Sequence, residues 1–209
     1  MSRPFDDTTR RNIADLCAAF SRLPPVDAAP ELKRAAVAIA LTGADDADET
    51  ALLLTRRASS LRSHRAQWAL PGGRCDAGET QVQAALRELH EELGLALAED
   101  AVLGLLDDYP TRSGYLITPV VVWVNAGQAI APNAAEVASV HPIPLHMTEH
   151  TDAFDFVHIP QSTRRVIRFH WEDRLIHAPT AAMIYQFREV LDGRDTRVAD
   201  LEQPVFAWK

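Results

Sequence analysis

The chain has 209 residues, enough for one well-packed domain with additions and short for two. Its 47% hydrophobic and 24% charged residues are those of an ordinary soluble globular protein, and a net charge of −8 argues against a surface that coats nucleic acid while leaving room for an anionic small molecule in a local basic pocket. Two cysteines, Cys17 and Cys75, make neither a disulfide framework nor a metal-ligand spacing, no apolar run approaches the ~20 residues of a membrane span, and the opening residues lack a secretion signal, so a cytoplasmic protein without a membrane partner is expected.

Asp6 or Asp7 caps a predicted helix that runs to about residue 23, with Ile13, Leu16, Cys17 and Phe20 on its apolar face and Pro24-Pro25 ending it. Residues 26–30 read as a linker. Residues 34–41 predict a buried strand, residues 43–49 an acidic turn and residues 51–57 a returning strand, together a hairpin. A basic run follows in this acidic chain: Arg56, Arg57, Arg62, His64 and Arg65. Alone it reads as a solvated loop; leading into Pro71-Gly72-Gly73, it is a candidate phosphate site, since the arginine fork donates two hydrogen bonds at once.

Beyond that loop, Thr80 caps a helix that Gly94 ends. Val82, Ala85, Leu86, Leu89 and Leu93 form its apolar stripe, and Glu88, Glu91 and Glu92 share one face, with Glu92 at the edge of the stripe. Crowded carboxylates suit either a solvated acidic face or a hard divalent cation, which takes oxygen ligands. The glycine loop, able to bring backbone carbonyls close to a ligand, favours the cation. Strands are predicted at 101–106 and 116–124, the second placed at an edge or bulge by Pro119, with a polar loop between them. Residues 137–145 give a short strand interrupted at Pro142 and Pro144, residues 154–159 and 165–171 a hairpin pair, and residues 181–191 a core helix ending at Gly193. The order suggests an α/β sandwich around a mixed sheet. Residues 1–30 are read as N-terminal helix and linker, 31–193 as the main domain and 194–209 as a tail. The helix is expected to pack outside the core or against a partner chain, and the tail to lie across the domain or meet a second subunit, so a homodimer is one reading.

Gly73, five residues, Glu79, seven residues, then Arg87-Glu88-Leu89-x-Glu91-Glu92-x-Gly94-Leu95 resembles the Nudix box at every defined position. The resemblance implies an α/β/α fold and hydrolysis of a small-molecule diphosphate linked to a further group, with Mg²⁺ or Mn²⁺. Glu88 and Glu92 are the first-choice ligands, with Glu91 completing the set and the Gly72 carbonyl resembling the family's backbone ligand. Glu79 is read as an outer ligand or as a partner of the helix dipole. Arg87 pairs with Glu91 or Glu79 and orients a ligand carboxylate. The general base is left among the box carboxylates and Glu136, which resembles a loop glutamate that some relatives place near the metals.

Outside the box, Leu53 to Ala58, Leu61 to His64, Gln67, Pro144-Leu145 and Thr180-Ala181 look like the coenzyme A diphosphatase branch. The resemblance implies release of adenosine 3′,5′-bisphosphate and 4′-phosphopantetheine from coenzyme A or its acyl esters. Three departures mark it: Ala66 for glycine, Leu70 for phenylalanine, and His177-Ala178-Pro179 where Trp-Gly is expected. The alternatives are ADP-ribose, dinucleotides or oxidised nucleotides as substrates, or a non-catalytic sensor, against which the intact acid set argues.

Overall fold

The structure is a computed structural model that describes residues 3–24, 31–44, 47–58 and 67–208. The linker expected at 26–30, the tip of the acidic turn and the basic residues Arg62, His64 and Arg65 lie outside the described residues. Helix α1 (Asp7–Ala19) is capped by Asp6, whose carboxylate accepts the Thr9 N–H at 2.7 Å. It ends four residues before the predicted stop because tertiary hydrogen bonds take over: Ser21 N–H donates to Asp195, Arg22 Nε to the Leu106 carbonyl and Leu23 N–H to Asp107.

The large sheet begins with the predicted hairpin of β1 (Lys33–Ala44) and β2 (Ala47–Arg57). Where these two diverge, β3 (Trp68–Ala69) pairs with β2 and β4 (Gly72–Arg74) with β1. Helix α2 (Gln81–Leu93) follows, then β5 (Val102–Leu105), β6 (Tyr109–Pro110) and β7 (Tyr115–Trp123), which runs parallel to β1. One parallel pair among antiparallel ones makes the sheet mixed.

Strand β1 shows why the sheet is sandwiched. Val37, Ile39 and Leu41 point into one core, and Ala36, Ala38 and Ala40 into the other, where α2 lies. The alanine face lets α2 sit close to the sheet. On the opposite face pack α1, α3 (Leu145–Glu149), α4 (Thr180–Leu191) and a three-stranded sheet of β9 (Phe154–Ile159), β10 (Ser162–Trp171) and β11 (Arg174–His177), with β8 (Val137–Pro144) leading into α3 from the outer side of β2. The fold is therefore α/β/α, with α1 built into the core rather than set outside it. Cys17 of α1 lies over Gly104, where an added Cβ would meet Cys17 Cβ at 2.6 Å.

Two strand expectations are corrected. Pro119 sits in a central strand, not at an edge: its carbonyl accepts the Leu106 N–H at 3.0 Å, and its ring nitrogen, pointing the same way, faces the gap between β5 and β6. Pro142 and Pro144 do not interrupt β8, because β8 pairs on one side only and prolines two apart direct their missing donors to the same edge. Among the described residues no helix is long and apolar enough to cross a membrane.

Candidate active site

Pairing of β4 with β1 sets Gly72 opposite Val37 and Gly73 opposite Ala36. Gly72 has φ 154°, and a Cβ there would lie 2.3 Å from the Ala36 carbonyl oxygen, so backbone alone fits. Gly73 serves a side chain instead: a Cβ there would fall 2.2 Å from Glu88 Oε1. The chain then enters α2 through a capping box, in which the Thr80 hydroxyl accepts the Gln83 N–H while the Gln83 side chain accepts the Thr80 N–H. Gly94, at φ 70°, ends the helix in the left-handed conformation.

On α2 the acids are organised by Arg87. Its Nε and Nη2 donate to the two oxygens of Glu79 at 2.9 and 3.1 Å, its Nη1 to Glu88 and Glu91 at 2.9 Å each, and its Nη2 also to the Arg74 carbonyl. The sequence offered Glu91 or Glu79 as its partner; the guanidinium takes both and Glu88 as well. Hydrogen bonds from Arg87 hold the Glu79 carboxyl below its usual range. Burial pushes Glu88 up against the pull of Arg87. Glu92, only 2% exposed, accepts the Gly72 N–H at 3.3 Å and faces Arg57 Nη1 at 3.4 Å, and its burial raises its pKa to about 7. The edge position read from the helix wheel is thus a buried one.

Among the described residues no three acidic, histidine or cysteine side chains stand together as a cation cage. The reason is local: Arg87 Nη1 lies between Glu88 and Glu91 and draws both. The donor chemistry nevertheless suits a hard divalent cation. Glu88 and Glu92 carry negative charge into a buried setting that disfavours it, and a cation relieves that cost where one guanidinium does not. Half-exposed Glu91 has room to turn from Arg87 toward an ion.

Glu136 reaches this face from another element. The loop before β8 hangs from the end of α2, with Asn133 N–H on the Glu92 carbonyl and Ala131 N–H on the Leu93 carbonyl. Glu136 takes a weak hydrogen bond from Asn133 at 3.3 Å, and its charge adds to the rise of both Glu88 and Glu92. From the basic run, Arg56 and Arg57 diverge. Arg57 turns in to Glu92, with its Nε buried and without a hydrogen-bond partner among the described residues. Arg56 is exposed, 5.9 Å from the Trp68 ring.

Beside Gly72 and Gly73, whose backbone Glu92 and Glu88 approach, lies a cavity of about 700 Å³. Arg57, Gly72, Gly73 and Arg74 line it together with Tyr115, Leu175, His177, Met183 and Phe206. Neither Arg74 nor Tyr115 nor the tail was singled out for the site by the sequence. Only the aromatic residues near the C-terminus gave a signal there, and it pointed equally to plain packing. Two departures from the coenzyme A pattern, Leu70 and His177, fall in this cavity's wall; the third, Ala66, lies outside the described residues.

A NUDIX domain model matches residues 32–156. The chain is 35% identical over 141 residues to a protein of Photorhabdus laumondii named as an uncharacterized Nudix hydrolase NudL, covering 66% of this chain and 75% of that one. It is 37% identical over 139 residues to the protein of the same name from Yersinia pestis, covering 65% and 70%. Among solved structures, a MutT/nudix family protein from Enterococcus faecalis aligns with a TM-score of 0.47 and 21% identity over 75% of this chain and 54% of that one.

Proposed function

The chain belongs to the Nudix hydrolase family, a pyrophosphohydrolase acting on a nucleoside diphosphate joined to a further group, and we propose that its substrate is coenzyme A or an acyl-coenzyme A. The observation that carries this reading is the Arg57 guanidinium, paired with the buried box acid Glu92, on the wall of a cavity that also presents apolar and aromatic side chains. An anionic diphosphate with an extended arm suits both kinds of lining. The upstream resemblance, from Leu53 through Gln67, supports the same substrate.

Glu88, Glu91 and Glu92 with the Gly72 carbonyl, and Glu79 behind them, would hold Mg²⁺ or Mn²⁺, which supplies charge neutralisation on the diphosphate and a water of lowered pKa. The protein's own groups do the rest. Arg87 fixes the acids by binding three of them at once. Arg57 offers a buried donor toward the phosphates, in keeping with its unpaired Nε. Arg56 and the residues Arg62, His64 and Arg65 are proposed to receive the 3′-phosphate. Glu88 and Glu136 are the carboxylates proposed to take the proton of the attacking water, which breaks a phosphorus–oxygen bond of the diphosphate bridge and leaves a phosphate monoester on each product.

A substrate panel with Mg²⁺ or Mn²⁺ tests the reading. Coenzyme A should yield adenosine 3′,5′-bisphosphate and 4′-phosphopantetheine, and should be preferred over dephospho-coenzyme A. Equal cleavage of the two, or preference for ADP-ribose or a dinucleotide, would contradict it.

A further inference from the structure

The strap of residues 201–208 lines the cavity through Gln203, Phe206 and Ala207, and is held by the segment from Tyr109 to Arg112 and by β10. Arg112 donates to both oxygens of Glu202, at 3.1 and 2.6 Å, and lies 5.1 Å from the Trp208 ring. Its backbone N–H donates to the Gln203 side chain at 2.7 Å. Tyr109 donates to the Leu201 carbonyl, and Glu202 N–H donates to the Arg165 carbonyl of β10. So anchored, the strap leaves Phe206 61% exposed, edge-on to His177 with ring centroids 5.3 Å apart, both rings on the cavity.

The cavity's polarity runs in one direction. Arg57 and Arg74 stand beside Gly72 and Gly73, and among the described residues no acidic side chain lines it. Of the hydroxyls that line it, Thr180 donates to the Trp68 carbonyl and Thr111 to the Tyr115 carbonyl. Leu175, Ile176, Met183 and Phe206 offer a ligand apolar surface and a ring face there, in a volume suited to one small molecule. A large exposed phenylalanine on such a wall gains from being covered.

We propose that this strap is a specificity element, in which Phe206 and His177 receive an uncharged, largely apolar arm extending from the diphosphate. This rests on the diphosphatase reading above and adds to it where the arm goes and what selects it. Substrates with longer apolar arms are bound more tightly because they reach the strap, and those with a second charged or strongly hydrated group are not.

The test compares metal-free binding, read by tryptophan fluorescence, of coenzyme A, octanoyl-coenzyme A and adenosine 3′,5′-bisphosphate, which has no arm. Wild type should bind the octanoyl ester about 10-fold more tightly than coenzyme A. Phe206→Ala should lose that gain and Phe206→Leu keep part of it, with adenosine 3′,5′-bisphosphate bound equally by all three. Phe206 is exposed, so folding is not at stake. An octanoyl gain that survives Phe206→Ala, or no gain in wild type, overturns the proposal. Binding with the expected pattern but no cleavage of coenzyme A leaves the strap standing and removes the hydrolytic reading. Cleavage with a KM that Phe206→Ala does not change removes the strap alone.

Discussion

Gly72 and Gly73 are adjacent, yet they are glycine for different reasons, and two substitutions separate them. Gly72→Ala sets a Cβ against backbone, 2.3 Å from the Ala36 carbonyl, in a φ region that favours glycine. It should cost about 3 kcal/mol or more, visible in denaturant melts. Gly73→Ala meets only the flexible end of Glu88, so stability should change by about 1 kcal/mol or less while turnover collapses as Glu88 is displaced. Equal losses of stability would contradict the distinction. The box pattern marked Gly73 in the sequence, but that its missing Cβ makes space for a carboxylate 15 residues on required the structure, because a fixed spacing does not say which atoms approach.

Glu92 gives a second residue-level prediction. Its folded pKa, about 7, lies above the ordinary 4.5, so the stability it leaves to the protein is fully present below pH 4.5 and is lost as pH rises through about 7. In metal-free protein, Glu92→Gln should therefore be more stable than wild type at pH 8, on the order of 1–3 kcal/mol, with no difference near pH 4. A less stable variant at pH 8 would show that the charge of Glu92 is fully repaid by Arg57.

At the scale of elements, the periodic segments were legible and their ends were less so. The hairpin, the box helix with its Thr80 cap and Gly94 stop, and the C-terminal helix all follow from local patterns that the fold keeps. The misses are tertiary. Helix α1 stops early because Asp107, Asp195 and the Leu106 carbonyl claim the next residues, and Pro119 sits in a central strand because its neighbour breaks off beside it. The strap was illegible for the same reason, its register being set by Arg112, some 90 residues away. Its anchor is testable. Arg112, with help from Ser162 and the Gln203 N–H, holds the buried Glu202 carboxyl at about 2 against the penalty of burial. The stability this supplies is fully present above pH 4.5 and lost as pH falls through about 2. Arg112 is half-exposed and solvent screens the pair, so Glu202→Gln should cost about 1–2 kcal/mol at neutral pH and flatten the acid limb of the stability–pH curve. An unchanged acid limb would place that sensitivity elsewhere.

For the whole molecule, the sandwich explains why one helix can carry so much negative charge. The alanine face of β1 seats α2 close to the sheet, β4 inserts Gly72 and Gly73 beneath its acids, and the loop before β8 hangs from its last turn to bring Glu136 alongside. The acid set was legible because a short helix places it by spacing alone. The cavity was not, since its walls come from β1, β2, β3, β4, β7, β11, α4 and the strap, brought together only by folding. The most direct measurement is the rate of coenzyme A cleavage at saturating Mg²⁺ by wild type and by Glu88→Gln, with products separated by chromatography and folding checked by melting temperature. A loss of about 10³-fold or more in kcat with an unchanged fold is predicted for a carboxylate that serves both ion and water. A folded Glu88→Gln protein that cleaves within about 10-fold of wild type would contradict the assignment of the chemistry to this helix.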